Sequence, residues 1–238
     1  MKVDILAVGV HPDDVELGCS GTILKAVKDG KKVAVLDLTR GELGTRGTPE
    51  LRQVEAHNAA KILGLTDRTI LNIGDGFFQH TNENMLEIAK YVRHYQPEVV
   101  LANAMADRHP DHGRAGKLIS EACFYSGLQK IETELNGEKQ KAHRPSAVYH
   151  YIQDHYTDPD LVVDVTDVWE GKIKSILAYS SQFYDPNSKE PETPISSKAF
   201  MEFIDGRGAQ FGRLINRKYG EGFTMARPAG VAQILDVI

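Results

Sequence analysis

The sequence predicts an α/β fold: a Rossmann-like, three-layer arrangement of a mostly parallel twisted sheet with helices on both faces. Short, continuously apolar segments rich in β-branched residues are typical of parallel strands buried on both faces. These segments alternate with amphipathic segments of helical length. Strand–helix–strand units of this size form parallel sheets with right-handed crossovers, which favours a doubly covered sheet over an all-α or all-β fold.

In the first half of the chain, residues that break regular structure separate the predicted elements. An apolar strand at residues 3–10 leads into a helix at residues 14–28, which ends at Gly30, a residue type common after helix C-termini. The next strand, at residues 33–39, precedes a loop at residues 41–49 that is rich in glycine and polar residues. The remaining predicted elements are a helix at 50–63 closed by Gly64, a strand at 69–73, a helix at 83–95 closed by Pro97, a strand at 99–104 and a helix at 113–126.

The second half of the chain is less regular. A glycine pair at Gly206 and Gly208 predicts a break within the last helix. No linker-like segment divides the chain, so residues 1–238 are predicted to form one domain. The predicted elements are strands at 147–152 and 161–165, helices at 167–182 and 197–217, and a polar, proline-containing loop at 185–197.

Composition and charge exclude several classes of function. The net charge of the 238 residues is −5 and no stretch is dominated by Lys and Arg, which argues against a nucleic-acid partner. No apolar run approaches the ~20 residues of a membrane helix. Cys19 and Cys123 form no C-x-x-C motif, and the N-terminus does not resemble a signal peptide. We therefore expect a cytoplasmic protein.

The tripeptide His-Pro-Asp occurs twice, each time directly after a predicted strand. It begins the sequence His-Pro-Asp-Asp at residues 11–14 and the sequence His-Pro-Asp-His at residues 109–112. In an open α/β sheet, ligands bind in the crevice beyond the carboxyl ends of the strands. The two motifs are therefore predicted to meet in one crevice.

The spacing within the motifs predicts a divalent-metal site. His11 and Asp14 are three positions apart across a strand-to-helix turn that Pro12 can begin, so their side chains can converge. A catalytic zinc site uses three protein ligands and leaves one position for water. His109 and His112 are candidates for the third ligand, and His112 is favoured because it occupies the position that matches Asp14. Zn²⁺ is the expected metal, with Fe²⁺ or another divalent ion as the alternative.

The remaining polar residues of the motifs predict hydrolysis. Asp13 is placed to act as a general base toward a metal-bound water, which would attack the substrate carbonyl. His109, positioned by the Asp111 carboxylate, is expected to act as a cationic acid or to stabilise an oxyanion. A base, a metal and an acid together indicate cleavage of an amide or ester.

Other interpretations stay open at this point. A single His-Pro-Asp is most often a turn, because proline and aspartate both favour turns. A metal-dependent phosphoesterase would use the same ligand types, and a non-enzymatic metal-binding protein would need no base at Asp13. A Rossmann oxidoreductase is disfavoured, because the sequence Gly-Val-His at residues 9–11 breaks the G-x-G-x-x-G fingerprint.

The first motif and its surroundings resemble a known family. Residues 8–21 resemble the opening motif of the LmbE-like/PIG-L family of metal-dependent N-acetylglucosaminide deacetylases, and residues 109–112 resemble its second motif. The resemblance continues through residues 39–42, 52–55 and 74–76, and so covers the first half of the chain. The sequences of these motifs are most similar to those of the branch that deacetylates N-acetylglucosaminyl malate in bacillithiol biosynthesis.

The resemblance implies an activity, partners and residue roles. It implies removal of the acetyl group from an N-acetylglucosaminyl conjugate, foremost N-acetylglucosaminyl L-malate, with another N-acetylated sugar or a chitooligosaccharide as the alternative. It also implies a homo-oligomer, such as a trimer or hexamer. By matching position, it implies metal ligands at His11, Asp14 and His112, a base at Asp13, an acid pair at His109 and Asp111, and substrate-binding residues at Arg52 and Asp75.

Overall fold

The computed structural model of the chain describes residues 1–236. Within them, regular structure follows the alternating order that the sequence predicts. The strands are β1 (Ile5–Gly9), β2 (Val33–Asp37), β3 (Asp67–Ile70), β4 (Val99–Ala102), β5 (Glu134–Leu135), β6 (Glu138–Lys139), β7 (Ala147–Tyr151), β8 (Leu161–Asp164) and β9 (Gly220–Met225). The α-helices are α1 (Asp14–Lys28), α2 (Pro49–Leu63), α3 (Asn82–Tyr95), α4 (Pro110–Tyr125), α5 (Trp169–Leu177) and α6 (Lys198–Leu214).

Seven of these strands form one mostly parallel sheet, in the order β3-β2-β1-β4-β7-β9-β8. Strands β3, β2, β1, β4 and β7 are parallel to one another. Strand β9 lies next to the edge strand β8 and is antiparallel to both β7 and β8, so it alone runs opposite to the other strands of this sheet. Strands β1 and β4 are adjacent although about ninety residues separate them, and this pairing brings their carboxyl ends together.

The sheet is covered by helices on both faces, as the alternation of side chains in β2 shows. Ala34 and Leu36 belong to an apolar cluster that includes residues of α3 and α4. Val33 and Val35 belong to the opposite cluster, which includes residues of α1. The predicted three-layer α/β fold is confirmed. No helix among residues 1–236 has the combination of length and apolar character needed to cross a membrane.

The predicted break in the last helix is wrong: α6 runs without interruption from Lys198 to Leu214. Its glycine at position 208 serves close packing, because a Cβ atom there would lie only 2.1 Å from the ring of Trp169. Strand β9 was not predicted, since its sequence contains two glycines. The backbone of one of them, Gly222, packs against the ring of Phe211. Glycine marks a close approach at both positions.

Helix α1 contains a kink at Cys19, where the backbone leaves helical geometry. A buried ion pair between Lys172 and Glu221, with Nζ and Oε1 2.7 Å apart, lies across this kink. The Lys172 ammonium donates to two backbone carbonyls before the kink, and the Glu221 carboxylate accepts from two backbone amides after it. The pair replaces hydrogen bonds that the kink removes from the helix, and so fixes the direction of its first turns.

Candidate active site

The two His-Pro-Asp motifs meet at the carboxyl ends of β1 and β4. The first motif forms the turn between β1 and α1, and the second precedes and begins α4. The ring centre of His11 lies 4.8 Å from that of His109 and 5.7 Å from that of His112. The adjacency of the two parallel strands therefore assembles one cluster from two distant parts of the chain, as predicted.

Asp14 is the buried centre of this cluster. Its Oδ2 accepts hydrogen bonds from the backbone N–H groups of Val10 and His11, both at 3.0 Å, and from the amide of Asn103 at 2.9 Å. Its Oδ1 lies 3.1 Å from His112 Nε2. Burial alone would raise the pKa of Asp14, but the His112 and His11 rings and their hydrogen bonds hold it far below the usual range. Asp14 is therefore an ionised carboxylate facing two imidazoles.

His11 and His112 are each held by a second carboxylate. His11 Nε2 lies 2.9 Å from Asp75 Oδ1, and His112 Nδ1 lies 2.5 Å from Asp107 Oδ2. Burial lowers the pKa of His11, but hydrogen bonds with the nearby aspartates raise it to about 10. Burial likewise opposes protonation of His112, but the Asp14 charge and the Asp107 hydrogen bond raise its pKa to about 9. Such carboxylates fix the tautomer and orientation of metal-binding histidines.

The donor atoms of the cluster fit a divalent metal. Among residues 1–236, one ligand atom from each of His11, His109 and His112 lies within 4.8 Å of the others. A second set of this kind combines His11 with Asp75 and Asp111. Asp14 is in reach of the first set, because its oxygens lie 3.1 Å from His112 and 3.8 Å from His11. Imidazole and carboxylate donors are typical ligands of zinc and of iron(II).

Asp13 is buried and has a strained backbone, two features that are typical of residues at functional sites. It is the N-cap of α1 and has φ = 126°, a region that residues with a Cβ atom rarely adopt. Such strain costs about 1–3 kcal/mol and is concentrated at functional sites. Burial raises the pKa of its carboxyl to about 7, although the Arg52 guanidinium opposes the shift. A carboxyl group with a pKa near neutrality suits general acid–base chemistry.

The structure places His109 differently from the sequence-based expectation. Its Nδ1 accepts a hydrogen bond from the backbone N–H of Asp111 at 3.2 Å, so in the neutral ring the proton is on Nε2. The Asp111 carboxylate does not orient this ring. It accepts from the backbone N–H of Gly76 at 2.9 Å and pairs with Arg114 at 2.7 Å. Burial and the cationic His11 and His112 rings lower the pKa of His109, which disfavours the expected cationic form.

Arg52 and Asp75 line the cavity, as substrate-binding residues must, but both are already engaged with protein atoms. Arg52 Nη2 lies 3.1 Å from Asp13 Oδ2 and also donates to the Pro12 carbonyl. Asp75 uses one oxygen for His11 and the other for the backbone N–H of Leu43, at 2.9 Å each. This geometry favours positioning of Asp13 and His11 over contact with sugar hydroxyls.

Three residues of the site were missed by sequence reasoning: Asn103, Asp107 and Gln153. The Gln153 amide donates to Asp14 Oδ1 at 3.1 Å and accepts from the Asn103 side chain at 3.1 Å. One available signal was position, since Asn103 directly follows β4 and Gln153 comes soon after β7, the neighbouring strand in the sheet. Asp107 lies in the loop before the second motif, where polar residues are too common to single it out.

The cluster opens into a cavity of about 470 Å³, a size that accommodates a small organic ligand. Part of its lining consists of the histidines and aspartates described above. The apolar part of the lining comes mainly from the second half of the chain, including α5 and α6. This apolar part consists of Leu17, Ile152, Trp169, Phe200, Phe203 and Phe211.

Comparison with known proteins reveals similarity along nearly the whole chain. Diacetylchitobiose deacetylase from Thermococcus kodakarensis is 33% identical, with 92% of this chain and 81% of the relative covered. The conserved protein TT1542 from Thermus thermophilus superposes with a TM-score of 0.86 and 34% identity, with 98% of both chains covered.

More distant relatives bear on the finer expectations. A probable N-acetyl-α-D-glucosaminyl L-malate deacetylase 2 from Bacillus anthracis is 25% identical, with 75% of this chain and 81% of the relative covered. That identity is lower than the 33% found for the diacetylchitobiose deacetylase, so a special similarity to the bacillithiol branch is not confirmed. A 4-oxalmesaconate hydratase from Pseudomonas putida is 27% identical, with 74% of this chain and 73% of the relative covered.

The family comparison agrees with the whole-chain similarities. Residues 6–123 match the model of the PIG-L family, described as GlcNAc-PI de-N-acetylase. The matched segment includes both His-Pro-Asp motifs and the strands that deliver them. The chain therefore belongs to the PIG-L/LmbE-like family of deacetylases.

Proposed function

We propose that this protein hydrolyses the acetamide of an N-acetylated amino sugar, with a divalent metal held by His11, Asp14 and His112. The observation that carries the proposal is the position of Asp14, an ionised carboxylate that contacts both histidines from its buried site. Family membership supports deacetylation as the reaction. Zinc is the proposed metal, and iron(II) is the alternative for the same donor set. A bound metal would supply Lewis-acid activation of water and of the acetamide carbonyl.

The remaining residues account for the proton transfers. Asp13 accepts a proton from the attacking water while the water oxygen bonds to the carbonyl carbon. Asp13 then donates that proton to the leaving amine as the C–N bond breaks. Arg52 holds the Asp13 carboxylate in place. The Nε2–H group of His109 donates a hydrogen bond to the oxyanion that develops on the carbonyl oxygen. The products are acetate and the free amino sugar.

The charges in the cavity favour a neutral glycoside as the substrate. Besides the histidines, four arginine and lysine side chains line the cavity, and each already contacts protein atoms. A malate conjugate would bring two carboxylates without an uncommitted cation to bind them, so we place a neutral N-acetylglucosaminide ahead of N-acetylglucosaminyl malate. The four side chains and their partners are Arg52 with Asp13, Arg108 with Asp154, Lys172 with Glu221, and Arg207 with two backbone carbonyls.

One experiment tests both the reaction and the metal. The metal content of the purified protein is measured, and acetate release is then followed with diacetylchitobiose and with N-acetylglucosaminyl malate. A panel of phosphate esters and 4-oxalmesaconate serves as the comparison. Acetate release that is lost on chelation and restored by zinc or iron(II) is the expected result. Turnover of a phosphate ester or of 4-oxalmesaconate without acetate release would contradict the proposal.

Self-association stays a prediction that rests on the family resemblance, and a cytoplasmic location stays a prediction that rests on composition. Light scattering of the purified protein checks the self-association, with the mass of a trimer or hexamer of the 26.4 kDa chain as the expected result.

A further inference from the structure

We propose that the apolar part of the cavity lining binds an apolar group of the substrate, an alkyl or aryl substituent on the amino sugar. We name this region the apolar arm and define it by Leu17, Ile152, Trp169, Phe200, Phe203 and Phe211. The inference rests on the proposed function in one respect, namely that the polar part of the ligand is an amino sugar.

The apolar arm is continuous with the candidate active site. One cavity of about 470 Å³ is lined both by His11 and His112 and by the side chains of the arm. Trp169 and Phe211 are buried, with 6% and 2% of their surfaces exposed. A ligand whose amide lies at the histidines can therefore extend into the arm without leaving the cavity.

The charged side chains around the arm and the indole N–H of Trp169 are already paired with protein atoms, whereas the buried hydroxyl of Thr193 in the cavity lining has no partner among residues 1–236. Trp169 Nε1 donates to Asp205 Oδ1 at 3.0 Å, and Lys172 and Glu221 pair with each other at 2.7 Å. The guanidinium of Arg207 donates to two backbone carbonyls, both at 2.7 Å. Hydroxyl groups placed against these paired groups would lose their hydrogen bonds to water without new partners, which is unfavourable. Alkyl or aryl groups would gain from the same burial.

The aromatic side chains of the arm are held in place by packing against neighbouring residues, so that the arm stays open. The ring of Tyr219 stacks on Trp169 with centres 4.2 Å apart, and the backbone of Gly208 lies against the same indole. The ring of Phe211 packs against the backbone of Gly222, where a Cβ atom would come within 3.0 Å. Because these aromatic side chains are supported from behind, the arm is pre-formed, as ligand pockets usually are.

Binding can be measured without catalysis, because Trp169 is the single tryptophan of the chain and lies in the arm. The purified protein is titrated with n-octyl β-D-glucoside below its micelle concentration, and with methyl β-D-glucoside, while tryptophan fluorescence is recorded. We expect a saturable change with the octyl compound and none with the methyl compound. A non-saturable response, or equal responses to both compounds, would overturn the proposal.

A pair of variants on α6 ties the response to the arm. Phe203→Glu places a charge in the arm at a position that is already 36% exposed, so the new carboxylate keeps contact with water and we expect the variant to fold. Leu214→Glu introduces the same charge on the same helix, at an exposed position that does not line the cavity. We expect Phe203→Glu to weaken octyl binding at least tenfold and Leu214→Glu to leave it unchanged. Unchanged binding in both variants would place the detergent elsewhere and overturn the proposal.

Kinetics then identify which part of the substrate supplies the apolar group. One series consists of N-acetylglucosaminides with methyl, butyl and octyl aglycones, and the other of methyl glycosides with N-acetyl, N-butanoyl and N-hexanoyl groups. We expect kcat/KM to rise in one series, by up to about fourfold for each buried methylene. A rise in the first series assigns the arm to the aglycone, and a rise in the second assigns it to the acyl chain.

The two proposals fail in different ways. Acetate release that is independent of chain length in both series would overturn the apolar arm and leave the proposed function standing. A saturable, Phe203-dependent fluorescence response without hydrolysis of any amide would overturn the proposed function and leave the apolar arm standing.

Discussion

Asp14 Oδ1 lies 3.1 Å from Nε2 of His112, and this contact joins the two His-Pro-Asp motifs into one site. Asp14 comes from the first turn of α1 and His112 from the first turn of α4. Adjacent pairing of β1 and β4 is what makes the contact possible. The two motifs differ in their fourth residue, which is Asp14 in the first motif and His112 in the second.

Replacement of Asp13 by alanine is expected to separate metal binding from turnover. The variant lacks the proposed base, so kcat should fall by about 10²- to 10⁴-fold. The ligands His11, Asp14 and His112 are untouched, and metal content measured on the purified variant should stay at the wild-type level. Wild-type turnover in Asp13→Ala would rule out the proposed mechanism.

Removal of the carboxylates that accept hydrogen bonds from His11 and His112 should weaken metal binding. Asp107→Asn and Asp75→Asn each replace a charged acceptor of an imidazole N–H, and loss of such a partner typically costs 10- to 100-fold in metal affinity or activity. Competition with a chelator measures the dissociation constant. Asp158→Asn, which changes an exposed aspartate, is the matched control. Equal affinities in all three variants would show that neither carboxylate supports the metal.

Metal affinity should increase with pH. In the metal-free protein His11 has a pKa of about 10 and His112 a pKa of about 9, so both are protonated at neutral pH. A metal must displace these protons from the nitrogens that it binds. The apparent affinity should therefore fall as the pH falls below about 10, where His11 takes up its proton, and more steeply below about 9, where His112 does so, by up to about tenfold per pH unit for each proton released. Calorimetry in buffers of different ionisation enthalpy counts the released protons. A count of zero would contradict this prediction.

A buried charge network beneath the site should dominate stability. The Arg68 guanidinium pairs with both oxygens of Asp37, at 2.7 and 2.8 Å, and lies 2.6 Å from Glu16. Arg68→Leu leaves two buried carboxylates uncompensated, and such a loss lowers the free energy of unfolding by about 3–5 kcal/mol. Urea denaturation measures the change, and Arg213→Leu on the exposed face of α6 is the control. A loss below about 1 kcal/mol would mean that the carboxyl groups become protonated or hydrated instead.

Two glycines of α6 should respond to alanine in opposite directions. A Cβ atom at Gly208 would collide with Trp169, so Gly208→Ala should lower the free energy of unfolding by about 1–3 kcal/mol. A Cβ atom at Gly206 would meet no atom within 4 Å, so Gly206→Ala should raise it by about 0.5–1 kcal/mol. Thermal denaturation of both variants checks the pair. Stabilisation by Gly208→Ala would show that the predicted contact with Trp169 is not rigid.

Much of the fold could be predicted from the sequence because its signals are local. Apolar runs, glycine and proline stops, and helical periodicity located most elements to within a few residues, α1 among them. They failed where a distant partner decides the structure. The continuity of α6 depends on how Trp169 packs against Gly208, and the glycine-rich β9 is a strand because β7 and β8 flank it.

The candidate site divides in the same way. The sequence by itself determined that two His-Pro-Asp motifs follow strands of a parallel sheet, and it predicted that His11 and Asp14 would meet a histidine of the second motif, with His112 favoured over His109. Only the tertiary structure decided that the Asp111 carboxylate turns away from His109 and that Asp107 and Gln153 join the cluster. The physical reason is that residue type and spacing limit which groups can converge, whereas hydrogen-bond partners depend on side-chain directions set by packing across the whole sheet.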